Sequence, residues 1–334
     1  LFNIWVGLIA MNVTNPLPWQ QRVGNQRDWV WRGWQTRYTF IRAAEKSSTP
    51  VMLIHGFGAS IGHWRHNLAE LGQHHTVYAL DLLGFGASEK SDAPYNTVFW
   101  AEQVYDFWRN FIRQPIVLVG NSIGSLVCLT VAAKYPEMVQ GLVLVNLPDS
   151  SVLESPKWMQ WAIAPISLAA RPLLNLTKAV LTTPWLFHPL FRVIRSARFV
   201  KLWANQAYTT PAAITEELLE ILSSPAFDRG AAAALRSMIC TTSSEAAYTA
   251  KVVLPQLQIP MLLLWGQHDK MVPKSLAQKF VQCNPKLTLI EIENAGHCPH
   301  DECPETVNRL MLDWLSQWTT SSPILDPAIA PSRS

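Results

Sequence analysis

Charge is scarce in this chain. Only 15% of its 334 residues are charged, and 27 basic against 24 acidic side chains leave a formal net charge of +3. So small a balance argues against a nucleic-acid binder, which advertises itself by a strong basic excess. Cysteine is scarce as well. Cys128, Cys240, Cys283, Cys298 and Cys303 are odd in number and scattered, so no disulfide framework is indicated and a reducing compartment, the cytoplasm by default, is expected. Long apolar runs are missing. Residues Leu1 to Ala10 are apolar but have no basic start and no clear cleavage site. They also fall short of the roughly 20 residues a spanning helix needs. Since Met11 follows, this stretch is expected to be an upstream extension of the natural start rather than a short interfacial anchor.

What the chain has in abundance is apolar and bulky. Hydrophobic residues make up 49% of it, enough to build a sizeable core at a length that suggests one large domain carrying an insertion. Fifteen Trp and 23 Pro exceed ordinary usage, and many fall outside regular patterns. They imply loops and a pocket lined by large side chains, suited to an apolar ligand. Disorder is expected only in the last dozen or so residues, where Pro, Ser and Ala dominate.

The order of apolar runs gives the architecture. Asp28 to Gly33 and Thr36 to Arg42 read as an antiparallel pair joined at Gly33-Trp34. Then come short continuous apolar runs, Val51–Ile54, Val77–Leu80, Ile116–Val119 and Leu142–Val145, each separated from the next by a helix-length segment. That is the pattern of parallel strands buried on both faces. The intervening helices are placed at Trp64–Leu71, Thr97–Phe111 and Ser122–Tyr135, the last stopping before Pro136. From Leu147 to about Val253 no strand run occurs and the spacings turn helical, as at Ile214–Leu222. The rhythm resumes with strands at Met261–Trp265 and Leu287–Ile292 and helices at Lys274–Gln282 and Pro304–Trp318. The expected fold is a mostly parallel eight-stranded α/β sheet flanked by helices, interrupted by a helical cap. In numbers, an N-terminal extension (1–27) precedes core (28–146), cap (147–253), core again (254–318) and a flexible tail (319–334).

Gly120-Asn121-Ser122-Ile123-Gly124 lies between the run Ile116–Val119 and a helix-like segment. A sharp strand-to-helix turn at this point would lift the Ser122 hydroxyl out of the sheet, and the flanking glycines would let the two backbones pass. A serine nucleophile needs a base, and the base needs an acid to fix its tautomer. Asp269 follows the strand ending at Trp265, and His297 follows the one ending near Ile292. In a parallel sheet the carboxyl ends share one edge, so Ser122, Asp269 and His297 are expected to converge, in the chain order Ser, Asp, His. Backbone N–H groups of Phe57, in the turn His55-Gly56-Phe57-Gly58, and of Ile123 are the candidate donors to a tetrahedral oxyanion.

Other features have plainer readings. His300 is the main competitor for the base and His268 sits beside the acid, whereas His55 reads as a buried turn residue. Asp81 to Ser88 superficially resembles a phosphate cradle but lacks the Lys and the third glycine, so a tight loop is expected. His297-Cys298-Pro299-His300-Asp301-Glu302-Cys303 has zinc-site residue types, but Pro299 stiffens it and His297 is needed as base, so no metal is assigned. Cys128 reads as a small core residue.

Taken together, these motifs resemble the α/β-hydrolase superfamily over nearly all of Trp29 to Trp318. Within it, Ile54 to Ser60 with His63-Trp64-Arg65, Ala79 to Ser88, Val119 to Ser122, and Gly296 to Glu302 look like the pheophytinase group of plants and cyanobacteria. That resemblance implies a metal-free and cofactor-free serine hydrolase acting on the phytol ester of a chlorophyll derivative, with Ser122 as nucleophile, His297 as base and Asp269 as acid. Ser125 departs from the pattern, since relatives usually carry a second glycine there. Asn121 is shared in kind with carbon-carbon bond hydrolases of ring-cleavage pathways, the alternative activity; a non-catalytic hydrolase-fold binding protein is the third reading. The cap adds a possible partner. Between Ser155 and Trp203 lie seven Lys/Arg and no Asp/Glu, interleaved with Trp158, Trp161, Trp185, Phe187, Phe191 and Phe199. This is either a solvated basic face over a packed apolar one, or a lid that docks peripherally on an anionic membrane.

Overall fold

The computed structural model describes residues 17–43, 49–153, 183–241 and 246–319. Residues Leu1 to Ala10, Trp158, Trp161 and those from 320 onward, on which expectations above fall, lie outside the described residues.

Eight strands form one sheet: β1 (Arg27–Trp31), β2 (Trp34–Ile41), β3 (Val51–Ile54), β4 (Val77–Leu80), β5 (Ile116–Asn121), β6 (Val139–Val145), β7 (Met261–Gly266) and β8 (Leu287–Ile292). Their order is β1-β2-β4-β3-β5-β6-β7-β8. Only the β1/β2 and β2/β4 pairs are antiparallel. Among the described residues, the helices of eight or more residues are α1 (Thr97–Phe111), α2 (Ile123–Lys134), α3 (Pro184–Ile194), α4 (Ala197–Ala207), α5 (Glu216–Ser223), α6 (Ala231–Cys240), α7 (Ser275–Cys283) and α8 (Pro304–Thr319).

The continuous apolar runs are explained by where they pack. Met52, Ile54, Leu118 and Leu263 point into a core on one face of the sheet, while Val51, Leu53, Val117, Val119 and Leu262 point into a second core on the other. With successive side chains alternating faces, a strand covered on both sides has no position left for a polar residue. Each such aliphatic side chain contributes roughly 1.5–3 kcal/mol by leaving water.

Two local expectations shift. The first hairpin turns at Arg32-Gly33, one residue earlier than Gly33-Trp34, because Trp31 pairs with Trp34 across the strands. Both turn residues have positive φ (51° and 90°), the handedness that matches the twist of a two-residue hairpin. The helix expected over Trp64–Leu71 is split into a 3₁₀ turn at Ile61–Trp64 and a short helix at Leu68–Gly72. Ser60 caps the first by accepting the Gly62 N–H. At the junction, Asn67 directs its amide to the His300 carbonyl at 3.1 Å and to Asn308 at 2.7 Å, tertiary bonds that a local pattern does not reveal.

Candidate active site

Ser122 sits between β5 and α2 with φ 53° and ψ −121°, a backbone region that L-residues rarely occupy. The turn is possible only because its neighbours are small. A Cβ on Gly120 would lie 2.4 Å from the Gly124 backbone, and one on Gly124 would lie 2.3 Å from the Ile54 carbonyl. Ser125 strengthens the same corner. Its buried hydroxyl donates to the Gly120 carbonyl at 2.6 Å and accepts the Val145 N–H at 3.1 Å, tying the end of β5 to the end of β6. A glycine at position 125 would forgo both bonds.

The structure brings Ser122, His297 and Asp269 together. His297 Nε2 lies 2.8 Å from Ser122 Oγ, and His297 Nδ1 lies 2.8 Å from Asp269 Oδ2. Every polar contact of that carboxylate is a donor: Oδ1 accepts from the N–H groups of Met271 (2.7 Å) and Val272 (3.0 Å), and Oδ2 also accepts from Asn146 Nδ2 (2.6 Å). Burial pushes the Asp269 carboxyl upward, but hydrogen bonds and the charge of His297, with the Val272 N–H and Asn146, outweigh it and hold the group below its ordinary value. With Asp269 ionised, Nδ1 of His297 carries the proton and Nε2 is left to accept one from serine. His297 is also fixed through its backbone, for Asn121 donates to its carbonyl at 3.0 Å.

Of the two expected oxyanion donors, Phe57 lines a cavity of about 210 Å³ together with Gly56, His63, Ser122, Trp203 and His297. Ile123 is the first residue of α2, so its N–H is one of the four that a helix leaves without an internal acceptor.

Residues 49–304 match the alpha/beta hydrolase fold family. The chain belongs to that family. The chain is 26% identical over 307 residues to the chloroplastic pheophytinase of Arabidopsis thaliana, an alignment covering 79% of this chain and 60% of that relative's length. Among solved structures, a membrane phospholipase A described as a bacterial virulence factor superposes with a TM-score of 0.70 at 22% identity, covering 91% of this chain and 89% of the other. A meta-cleavage product hydrolase superposes at 0.66 and 19% identity, covering 89% and 99%. At such identities these structures speak for the fold alone.

The remaining sequence candidates fall into structural places in the fold. His55 is buried, its Nδ1 2.7 Å from the Gly56 carbonyl and its Nε2 accepting the Leu82 N–H at 3.0 Å. Desolvation holds its imidazole below the ordinary range. The Asp81 loop is a backbone clamp in which the carboxylate accepts the N–H groups of Ile61 (2.6 Å) and Ala87 (2.7 Å). Gly86 is required there, since a Cβ would sit 2.2 Å from that carboxylate. His300 does not face Ser122 but packs against Trp64, ring centres 4.2 Å apart. His268 is exposed, and Cys128 is buried in the core.

Sequence reasoning missed Asn146. It directly follows β6 with φ 49°, and besides holding Asp269 it accepts the Gly266 N–H at 3.3 Å. An Asn directly after an apolar strand was the available signal, because Asn tolerates the left-handed backbone better than most residues. Beside the Ser122 cavity lies an apolar one walled by residues including Phe85, Phe191, Val200 and Met238. The two cavities share Phe57, Ala59 and Trp203.

Proposed function

We propose that this hydrolase cleaves a carboxylic ester of a hydrophobic substrate through an acyl-enzyme on Ser122, with the phytol ester of a chlorophyll derivative as the leading candidate. The observation that carries the reading is the chain Ser122–His297–Asp269, which opens into a cavity sharing walls with an apolar one. Ser122 Oγ attacks the ester carbonyl while His297 Nε2 takes its proton; the oxyanion is received by the N–H groups of Phe57 and Ile123. His297 then returns the proton to the departing alcohol, and a water activated by the same imidazole releases the acid. Asp269 stays ionised throughout, and no step calls on a metal or a cofactor. The segment 147–253 acts as a cap, and the hydrocarbon part of the substrate lies along Trp203 in the apolar cavity. Likeness to a pheophytinase supports the phytol ester.

Asn121 and the fold shared with a meta-cleavage product hydrolase favour carbon-carbon bond hydrolysis as the second reading. A non-catalytic binding protein is the third. A panel of pheophytin, chlorophyll, short nitrophenyl esters and a ring-cleavage dienoate separates them. Release of phytol at the highest kcat/KM is the expected result. Preference for the dienoate would transfer the assignment to the second reading, and inertness toward every member, with no fluorophosphonate labelling of Ser122, would leave the third.

The cap is also proposed to touch an anionic bilayer. Trp185 is 73% exposed, Val193 58% and Leu202 59%, and Arg192, Arg198 and Lys201 stand among them on α3 and α4. Apolar side chains interleaved with cations suit an interface of lipid headgroups. Among the described residues no helix is long and apolar enough to cross a membrane. Flotation with phosphatidylserine vesicles is expected to carry the protein upward, and neutralising Arg192, Arg195 and Arg198 is expected to abolish this; equal flotation of both would refute the contact.

A further inference from the structure

The loop that carries His297 is held from two sides. Asn121, next to the nucleophile, takes the His297 carbonyl, while the His297 N–H donates at 2.7 Å to the carbonyl of Ala207, the last residue of α4. Gly296 makes the second contact possible, since a Cβ there would meet the same Ala207 carbonyl at 2.4 Å. The base therefore stands at a seam between the sheet and the helix whose Trp203 faces Ser122.

Two carboxylates close that seam: Asp301 Oδ2 accepts the Tyr208 hydroxyl at 2.6 Å, and its neighbour Glu302 gathers backbone donors. Glu302 Oε1 accepts the N–H groups of Thr209 (2.7 Å) and Thr210 (2.5 Å), just past the end of α4. Its Oε2 accepts the Gly296 N–H at 2.7 Å. Three backbone donors from two separate segments thus converge on one side chain that is five residues beyond the base. No neutral side chain can replace it, because an amide offers one acceptor and one donor where only acceptors fit. A further tie joins α5 to the core: Glu217 pairs with Arg22 and, at 2.8 Å, with Arg65, which in turn reaches Asp301 at 2.6 Å. It does not touch the 296–297 backbone.

We infer that Glu302 is a positioning residue that clamps the His297 loop to the end of α4, so that the base is aligned with Ser122 only while that helix is docked. The inference rests on the reading of Ser122 and His297 as nucleophile and base. It makes the helix over the pocket part of the catalytic geometry, with substrate contacts on Trp203 and the alignment of His297 sharing one mechanical path.

The test compares wild type, Glu302→Gln and Glu217→Gln by kcat and KM on a short nitrophenyl ester and by the rate of fluorophosphonate labelling of Ser122. Because a misplacement near 1 Å costs about a hundredfold, Glu302→Gln is expected to lose about ten- to a hundredfold in kcat and in labelling rate, with KM changed less than about twofold. Glu217→Gln is expected to keep both rates while losing thermal stability. Equal rates in all three proteins would overturn the inference, as would equal losses in the two variants, which would mean general loosening of the cap. An unlabelled wild type would instead sink the nucleophile assignment, and this inference with it. If Glu302→Gln does not fold, Thr210→Pro removes one of the three donors and leaves the carboxylate in place. Its labelling rate must then fall, and an unchanged rate would overturn the inference.

Discussion

Replacing Ser122 with alanine is expected to lower kcat by about 10⁵-fold or more while leaving KM and thermal stability close to wild type, since removing the serine nucleophile of comparable sites costs on the order of 10⁶. Among the described residues the hydroxyl's hydrogen-bond partner is His297, and the side chain already lines a cavity, so its removal strands no buried donor. Residual activity would come from oxyanion stabilisation and binding alone. Phytol release, or hydrolysis of any panel ester, that survives in Ser122→Ala within tenfold of wild type would defeat the acyl-enzyme mechanism.

Asp269→Asn is expected to cost about 10⁴-fold in kcat, with little change in KM. The reason lies in the four donors around the carboxylate. Met271, Val272, Asn146 and His297 all point hydrogens at it, so an amide must set its own NH₂ against some of them. The backbone pair at Oδ1 and the tightly packed Asn146 leave His297 as the contact that gives way. His297 Nδ1 then becomes an acceptor, Nε2 keeps the proton, and the ring can no longer take one from Ser122. Rates within tenfold of wild type across pH would show that the tautomer is fixed by something else. Because Asp269 titrates below the ordinary carboxylate range, its own protonation is not expected to set the acid limb of the wild-type profile.

The strands were legible in the sequence because burial on both faces leaves no alternation, and a run such as Val51–Ile54 then has no competing reading once it is bounded by turn residues. The strand-end positions of Ser122, Asp269 and His297 followed from the parallel order, and the glycine pair around Ser122 is explained by backbone approaches of 2.4 and 2.3 Å. Contacts made at a distance were not legible. Asn146 meets Asp269 across 123 residues, and Glu302 meets Thr209 across 93. Neither pairing has a local pattern, because a side chain that satisfies a backbone group of another segment needs no periodicity of its own. The broken helix at Asn67 failed for the same reason, and Arg32-Gly33 was misplaced because Arg seldom takes a positive φ.

The backbone of Ser122 has a bearing on how this chain can change over time. Holding a non-glycine residue at φ 53°, ψ −121° costs of order 1–3 kcal/mol, a cost that glycine at the same point would largely avoid. Selection for thermal robustness alone would therefore favour losing the serine. Its presence fits the use proposed for it: the turns at Gly58, Gly84 and Gly86 carry the residue that takes a positive φ without strain, whereas this corner keeps a side chain, as do the turns at Arg32, Arg113, Asn146 and Asn294.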